Sequence, residues 1–501
     1  MSTIDYAILV LYLVGITAIG LLASRSAKTT MVEYFLGNRA IPWLISAASL
    51  IATGISCRSL IGMPGLTFKG DMTYLQMYLP LPFTVVIAAW IFLPFYVRFR
   101  MISVYEYLGL RFSDGVRSFA SVLFQLQTAL ITGTVIAAPS LVLSEVTGMS
   151  YEWSVIVLLI LTLLYTVMGG TKAIIWTDMA QLAIFVGAPF VIGVYICTQA
   201  DGGVANLIRV AGEHGKLRVF DFTFDLGTEV TFWSALFSMT CWHLANFSIN
   251  QENSQRYLTA PSERDCARTM VWGSVGILAI WIMLLSIGVL LFAYNVLHPG
   301  NVPPNTAADR VFPAFVLSAL PNGFKGLFVS AALAAGMATL ASMVNAMGTA
   351  SLLDVWKVQR DDGAAETTWI QRARLLTVFW GVVSFGAAFV VLKVGTVITA
   401  GIKLGAVIIG AIFGMFLLGI FFPRATATGA VVGALAGVVA LIVVSLTTKI
   451  SWAWYCLIGT FVTVFVGYAV SCLTPRSATA RPLTWWELPP RNDARKMTRH
   501  G

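Results

Sequence analysis

The stretch SLIATGISCRSLIGMPG, residues 49–65, sets Arg58 inside an apolar run, four residues after Gly54 and six before Pro64. A guanidinium stays charged at any physiological pH, and an ionised side chain at bilayer depth is costly unless it faces water, a partner or a ligand. Its planar fork matches a carboxylate bidentately, so a clamp on an anion is one chemistry it could perform. Snorkelling to an interface, an ion pair inside a helix bundle and a cation–π contact are the competing roles. The patterns of hydrolytic and phosphate chemistry are missing from the rest of the sequence. There is no HExxH and no Cys/His zinc spacing. GGVANLIRVAG (202–212) has glycines, but no strand precedes it and no phosphate-loop Lys-Ser/Thr follows. No His/Asp/Glu cluster falls within the apolar segments, so we expect no enzyme. Without an ATP site, any pumping must draw on an ion gradient or on the solute's own gradient.

The elements that hold Arg58 are apolar throughout. Of 501 residues 58% are hydrophobic and only 11% charged, and the mean hydropathy is +0.82. A soluble protein would carry roughly a quarter charged residues. Runs such as SVIVLLILTLLYTVM and GILAIWIMLLSIGVLLFAYNVL approach or reach the ~20 residues of a spanning helix. They do not alternate as transmembrane strands do. The expected fold is therefore an all-α polytopic membrane protein. The first apolar segment, YAILVLYLVGITAIGLLA, is followed by no small-residue cleavage site and reads as a retained helix. The six cysteines (57, 197, 241, 266, 456 and 472) read as reduced, packed thiols.

Apolar segments near 5–23, 42–66, 73–97, 118–147, 152–168, 173–197, 231–250, 269–296, 323–350, 371–393, 398–421, 427–446 and 451–473 give about thirteen spans. The net charge of +9 comes from short basic loops: Arg25, Lys28, Arg39; Arg98, Arg100, Arg111, Arg117; Arg256, Arg264, Arg268; Lys357, Arg360, Arg372, Arg374; and the tail. These fall on alternate sides of successive spans, as the positive-inside rule requires of cytoplasmic loops. The charge thus reports topology and not a nucleic-acid partner. An odd span count then puts the N-terminus outside and the tail in the cytoplasm.

Three further stretches carry a family pattern. EYFLGNRAIPW (33–43), MGGTKAIIWTDMAQ (168–181) and GAIFGMFLLGIFFPRATATGAVVG (410–433) together resemble the sodium:solute symporter family, whose members carry sugars, proline, pantothenate, monocarboxylates or sialic acids with sodium. QRYLTA (255–260) and LLDVW (352–356) fit as well, and the likeness covers essentially the whole chain. It implies an inverted-repeat (5+5) transporter core, with repeats at about 42–197 and 231–421, inside a transmembrane domain of residues 1–475. Residues 476–501 are then a cytoplasmic basic tail. Gly54, Gly62, Pro64 and Gly65 independently suggest that the first core helix is broken. Broken backbone at membrane depth is tolerated where it lines a cavity or lies inside protein.

The resemblance also implies ligands. Matched to the family's sodium site, the carbonyls are those of Ala52 and Ile55, and a later helix offers Ala335 (carbonyl), Ala338 and Thr339. Ala338 stands where the family usually has a hydroxyl. A Thr339 hydroxyl bonded back to its own helix is the competing role. A possible second sodium site matches Asp178 and Ser342, with Ala341 where a serine is usual; Asp178 also fits a helix-N-terminal cap. Ser56 and Ser59, flanking Arg58, match the solute cavity. Gln76 and Asn246 are further solute candidates, among other polar residues (Tyr74, Gln125, Gln127, Thr128, Trp242) that could equally be interhelical glue, with His243 as packing. The carboxylate-binding Arg of the sialic-acid branch falls at Ile131 here.

The expected function is Na⁺-coupled import of a small organic solute, a carboxylate such as a monocarboxylate, sugar acid or sialic acid, across the cell's inner membrane. Na⁺, the solute and the lipid bilayer are the expected partners, and the protein is expected to be a monomer or weak oligomer. Proton coupling through Asp178, a neutral sugar or polyol as solute, and a transporter-like sensor are the alternatives.

Overall fold

The structure is a computed structural model that describes residues 1–24, 30–356, 366–393, 397–475 and 483–488. The cations Arg25, Lys28, Lys357 and Arg360, and the tail 476–501 apart from 483–488, lie outside the described residues. Helix α1 (Thr3–Ser24) precedes the short α2 (Met31–Leu36), which Thr30 caps at one end and Gly37, at φ 56°, ends at the other. Next come α3 (Trp43–Gly54) and α4 (Cys57–Lys69), separated by Ile55 and Ser56 in extended conformation. The first core helix is therefore broken, as expected, but not at the Gly62–Pro64–Gly65 cluster, which lies inside α4. Of these, Pro64 and Gly65 serve packing. A Cβ on Gly65 would meet the Ala308 carbonyl oxygen at 1.6 Å, so glycine there lets two helices touch.

A 3₁₀ turn (Met72–Met77), α5 (Leu81–Ile91) and α6 (Leu93–Arg98) follow, and then α7 (Glu106–Arg111) and α8 (Asp114–Thr147). Helix α9 (Tyr151–Gln199) has 49 residues, about 74 Å at 1.5 Å per residue, more than twice the ~30 Å hydrocarbon core. It holds two expected spans, because Gly170 turns the chain at φ 57°, ψ −156°, a region open essentially only to glycine. Helix α10 (Gly203–Glu213) lies in the loop after it. A π-helical turn (Ser234–Met239) runs into α11 (Thr240–Ile249), and Asn250, extended at ψ 118°, breaks it from α12 (Gln251–Tyr257). Both breaks fall in the opening span of an expected repeat. Then come α13 (Glu263–Leu297), α14 (Ala308–Ala319), α15 (Phe324–Ala350), α16 (Glu366–Lys393), α17 (Val397–Phe421), α18 (Ala427–Thr447) and α19 (Tyr455–Leu473).

All thirteen expected segments lie on helical elements, and no strand occurs among the described residues. Among those residues nine helices are long and apolar enough to cross a bilayer, ten if a bent pair at 31–54 is one span. The shortfall of four from thirteen has physical causes: two spans share α9, those opening the two repeats are broken, and of the span at 398–421 only Gly405–Phe421 counts, as a shorter apolar helix. Helix α15 is the axis of the fold. It is buried on every side, packed on α1, α3, α4, α8, α9 and α16. Small residues (AALAAGMATLAS) make this possible, since they let neighbouring backbones close in where lipid supplies no hydrophobic drive.

Two loop cations of the sequence reading prove to be core residues. Arg111 is 0% and Arg256 1% exposed. Arg111 donates to the carbonyls of Gly419, Phe422 and Pro423, capping the C-terminal end of α17. Arg256 is carried inward because the Asn250 break turns the polar residues of α12 into the bundle. There Gln251 bonds the backbone at Ile102 and Val104, and Gln255 bonds Phe35 O, Thr171 and Thr349.

Candidate solute and ion site

Where α3 stops and the chain extends at Ile55 (φ −129°, ψ 114°), the last carbonyls of the helix lose their intrahelical partners. Ala52 and Ile55 are both fully buried there. Across from them α15 buries Ala335 and Ala338 in the same apolar cluster, and Thr339 is buried on the same helix. Thr53 Oγ1 and Ser342 Oγ share a hydrogen bond of 3.0 Å, which ties the end of α3 to α15. Thr339 Oγ1 donates to Ala335 O at 3.0 Å, so two expected ligands are neighbours and the hydroxyl proton points away from any cation. The lone pairs of that hydroxyl remain available. Four oxygens of suitable type are thus supplied by broken backbone on one helix and by an intact helix facing it. Ala338 contributes none.

The residues suggested for a second ion hold an arginine. Ser49 Oγ donates to Asp178 Oδ2 at 2.5 Å, and Arg256 Nε stands 3.8 Å from the same oxygen. Arg256 Nη2 donates to Ser342 Oγ at 2.5 Å. Asp178, Ser342 and Ser49 are all essentially fully buried. Glu252 of α12 and Tyr165 of α9 lie within electrostatic reach of the guanidinium.

On the other side of the break, Ser56 is the N-cap residue of α4 without a side-chain capping bond. Arg58 and Ser59 follow in the first turn, where the dipole favours an anion. Arg58 is exposed and makes no hydrogen bond, ion pair or ring contact among the described residues. Tyr74 and Tyr78 lie within electrostatic reach of it. Tyr78 stacks on Trp281 at 3.8 Å between centroids, with Tyr74 and His243 against this pair, so an aromatic wall stands near the cation.

The other solute candidates divide. Gln76 is 2% exposed; its Oε1 accepts from Asp221 N, while Nε2 has no partner among the described residues. Asn246 donates to Trp242 O one turn back and accepts from Asn250 Nδ2, so its amide is engaged within its own segment. Gln125 is tied to Ser121 and Ser351 as glue between helices. His243 holds Met77 O at 2.9 Å, in keeping with packing. The sequence reading has Arg256 only as a loop cation. Its signal was present in the polar run NQENSQR after an apolar span, which is too polar for a span and too rich in amides for a plain loop.

The model of the sodium:solute symporter family matches residues 34–437. Among curated proteins, the sodium-dependent multivitamin transporter of Oryctolagus cuniculus is 32% identical over 87% of this chain and 69% of its own length. Sodium-coupled monocarboxylate transporter 1 of Homo sapiens is 30% identical over 86% of this chain and 72% of its own. A Na⁺-coupled sialic acid symporter, solved substrate-bound and outward-open, superposes with a TM-score of 0.87 at 24% identity, over 95% of this chain and 98% of that one. That likeness carries the inverted-repeat fold. With a helix broken at Ile55–Ser56, a facing helix of small residues and a family match over most of its length, the chain belongs to the sodium:solute symporter family.

Proposed function

We propose that this protein imports a small organic carboxylate together with Na⁺ and releases it unaltered. Sodium-coupled movement of a small organic solute is what membership of the family entails. The carboxylate is our reading, and one observation carries it: a permanent cation, exposed and unpartnered among the described residues, on the first turn of the half-helix after the break. The guanidinium fork and the N-terminal dipole of α4 act in the same direction there. Ser56, Ser59 and the free Nε2 of Gln76 would hydrogen-bond the rest of the solute, with Asn246 reaching it only after releasing Trp242 O. A multivitamin and a monocarboxylate carrier among the relatives fit this class.

Na⁺ would sit on the carbonyls of Ala52, Ile55 and Ala335 and on Thr339 Oγ1. Bound there, it holds the broken end of α3 against α15 and so fixes the half-helix that presents Arg58. Coupling then follows from differential affinity: Na⁺ favours the state that binds solute, and its loss to a low-sodium cytoplasm lets both leave.

Residues 1–475 act as one transport unit with repeats near 42–197 and 231–421, and 476–501 form a basic cytoplasmic tail. The protein lies in the cell's inner membrane with its N-terminus outside, as a monomer or weak oligomer. Large apolar side chains such as Phe83, Phe465 and Leu446 are well exposed, which suits lipid contact. Uptake into proteoliposomes tests the reading. Monocarboxylates should enter only with inward Na⁺, and their amides should not compete. Competition by amides or polyols as strong as by acids would point to a neutral solute.

A further inference from the structure

We infer that one membrane phospholipid is a bound ligand of this protein. Its acyl chain fills a groove between α3, the second half of α9 and α13, its phosphate lies beside Arg268, and in that place it braces the sodium end of α3. The part concerning sodium rests on the reading proposed above; the lipid site does not.

The groove holds about 500 Å³, and every side chain lining it is apolar. Ile51 of α3 forms one wall, Met179, Val186 and Phe190 of α9 another, and Ile280 of α13 the third, with glycines at 187 and 276 leaving room between them. Met179 to Phe190 is about 16 Å of helix, half the ~30 Å hydrocarbon core and so the reach of one leaflet's acyl chain. Met179 and Phe190 are exposed, so the groove opens among side chains that suit lipid.

Burying a chain there gains nothing over bulk lipid, because the tails are as apolar as the walls. Two other effects select it. Walls that would otherwise face a void gain dispersion contacts when a chain fills it. One end of the groove also carries headgroup chemistry. On α13, Arg268, Trp272 and Gly276 follow at four-residue steps and so share one line on the helix surface. On α9, Lys172, Trp176, Met179, Ala183 and Gly187 do the same at steps of three and four. Both tryptophans are exposed, as indoles at the headgroup level are. Among the described residues Arg268 pairs with Asp265 alone, through Nη1 at 3.2 Å, and that exposed pair is weak. The rest of its fork suits a phosphate. On each helix the order is cation, indole, groove, which is the order of phosphate, interface and tail in a phospholipid.

A chain in the groove acts on α3. A Cβ on Gly276 would overlap Ile51 Cδ1, so the Ile51 side chain rests on the α13 backbone while forming the groove wall. Ala52, next in sequence, offers its carbonyl to Na⁺ in the reading above. A chain beside Ile51 keeps α3 from tilting into the groove and holds that carbonyl toward α15.

Native mass spectrometry of the purified full-length protein, stripped of lipid and titrated with dioleoyl phosphatidylglycerol, tests this. Wild type should hold one lipid more than Gly187→Phe at equal concentration. The new side chain fills the groove from a Cβ that meets no atom within 4 Å, so the variant should fold. Arg268→Gln should weaken retention roughly fivefold, and dioleoylglycerol, which lacks the phosphate, should bind wild type no better than that variant binds the phospholipid. In ²²Na⁺ binding the lipid should tighten wild-type affinity at least about fivefold and leave Gly187→Phe unmoved. Equal retention by wild type and Gly187→Phe would overturn the lipid site. An unweakened Arg268→Gln would do so even if Gly187→Phe failed to fold. A wild-type dimer that Gly187→Phe dissociates would give the groove to a second copy of the chain and overturn it too. Lipid retained with sodium affinity unchanged would overturn the brace. Sodium binding undiminished in Thr339→Ala would instead sink the sodium site and leave the lipid count as it is.

Discussion

Thr53, the last residue but one of α3, and Ser342, in the middle of α15, share a 3.0 Å hydrogen bond, and the same Ser342 oxygen accepts from Arg256. A single hydroxyl thus joins the broken helix, the helix facing it and the buried cation. Thr53→Val deletes one bond and little volume. We expect a loss of about 1 kcal/mol, seen as weaker Na⁺ binding and a lower apparent Tm. Ser342→Ala strips an acceptor from a buried guanidinium and should cost more, about 2–3 kcal/mol in the same measurements.

Thr339 Oγ1 donates to Ala335 O. If its lone pairs also face the ion, Thr339→Ala should weaken Na⁺ binding at least tenfold while Thr339→Ser restores most of it, read by isothermal titration. If the hydroxyl only caps its own helix, Ala would be neutral for Na⁺, since such back-bonding adds little to helix stability.

Arg58 is exposed and has no partner among the described residues, so removing it should hardly affect folding. A charge-assisted clamp contributes about 1.5–3 kcal/mol. Arg58→Gln should therefore lower apparent solute affinity by roughly 10- to 150-fold with an unchanged Tm. Arg58→Lys should recover only part of it, because an ammonium cannot make the fork. Salt should weaken wild-type binding of an anionic solute and leave the Gln variant flat.

Gly170 joins the two halves of α9, and a Cβ there would approach the Tyr34 carbonyl oxygen at 2.6 Å in addition to the backbone strain. Gly170→Ala should destabilise by at least about 1–3 kcal/mol, and it should do so without changing the solute-to-sodium ratio of whatever folds. Unaltered thermal stability in this variant would mean the turn is not fixed as described.

The sequence told much about composition, the helical segments and the first break, and less about where polar residues go. Apolar runs mark spans because lipid leaves the backbone no other partner, so all thirteen segments are helical. The site of the break was placed too broadly. Gly62, Pro64 and Gly65 look like helix breakers, yet all three lie inside α4, and Pro64 and Gly65 sit where α4 closely approaches α13 and α14: Thr67 Oγ1 bonds Leu285 O and Gly65 meets Ala308. Charge counting went furthest astray. An arginine in a short loop and an arginine folded back into the bundle look alike in one dimension, and only the extended conformation of Asn250 sends Arg256 inward. Arg111 was hidden for the same reason, since the carbonyls it caps lie three hundred residues away.

The central claim is that sodium and a carboxylate bind together across the Ile55–Ser56 break, with Arg58 as the anion's partner. Thermal stabilisation of the purified protein measures it most directly, using short monocarboxylates and their amides, each with Na⁺ and with choline in its place, on wild type and Arg58→Gln. Acids should raise the wild-type Tm only in Na⁺, amides should not, and Arg58→Gln should keep the shift from Na⁺ alone while losing the shift from acid. Stabilisation by acids without Na⁺, or an undiminished acid shift in Arg58→Gln, would contradict it.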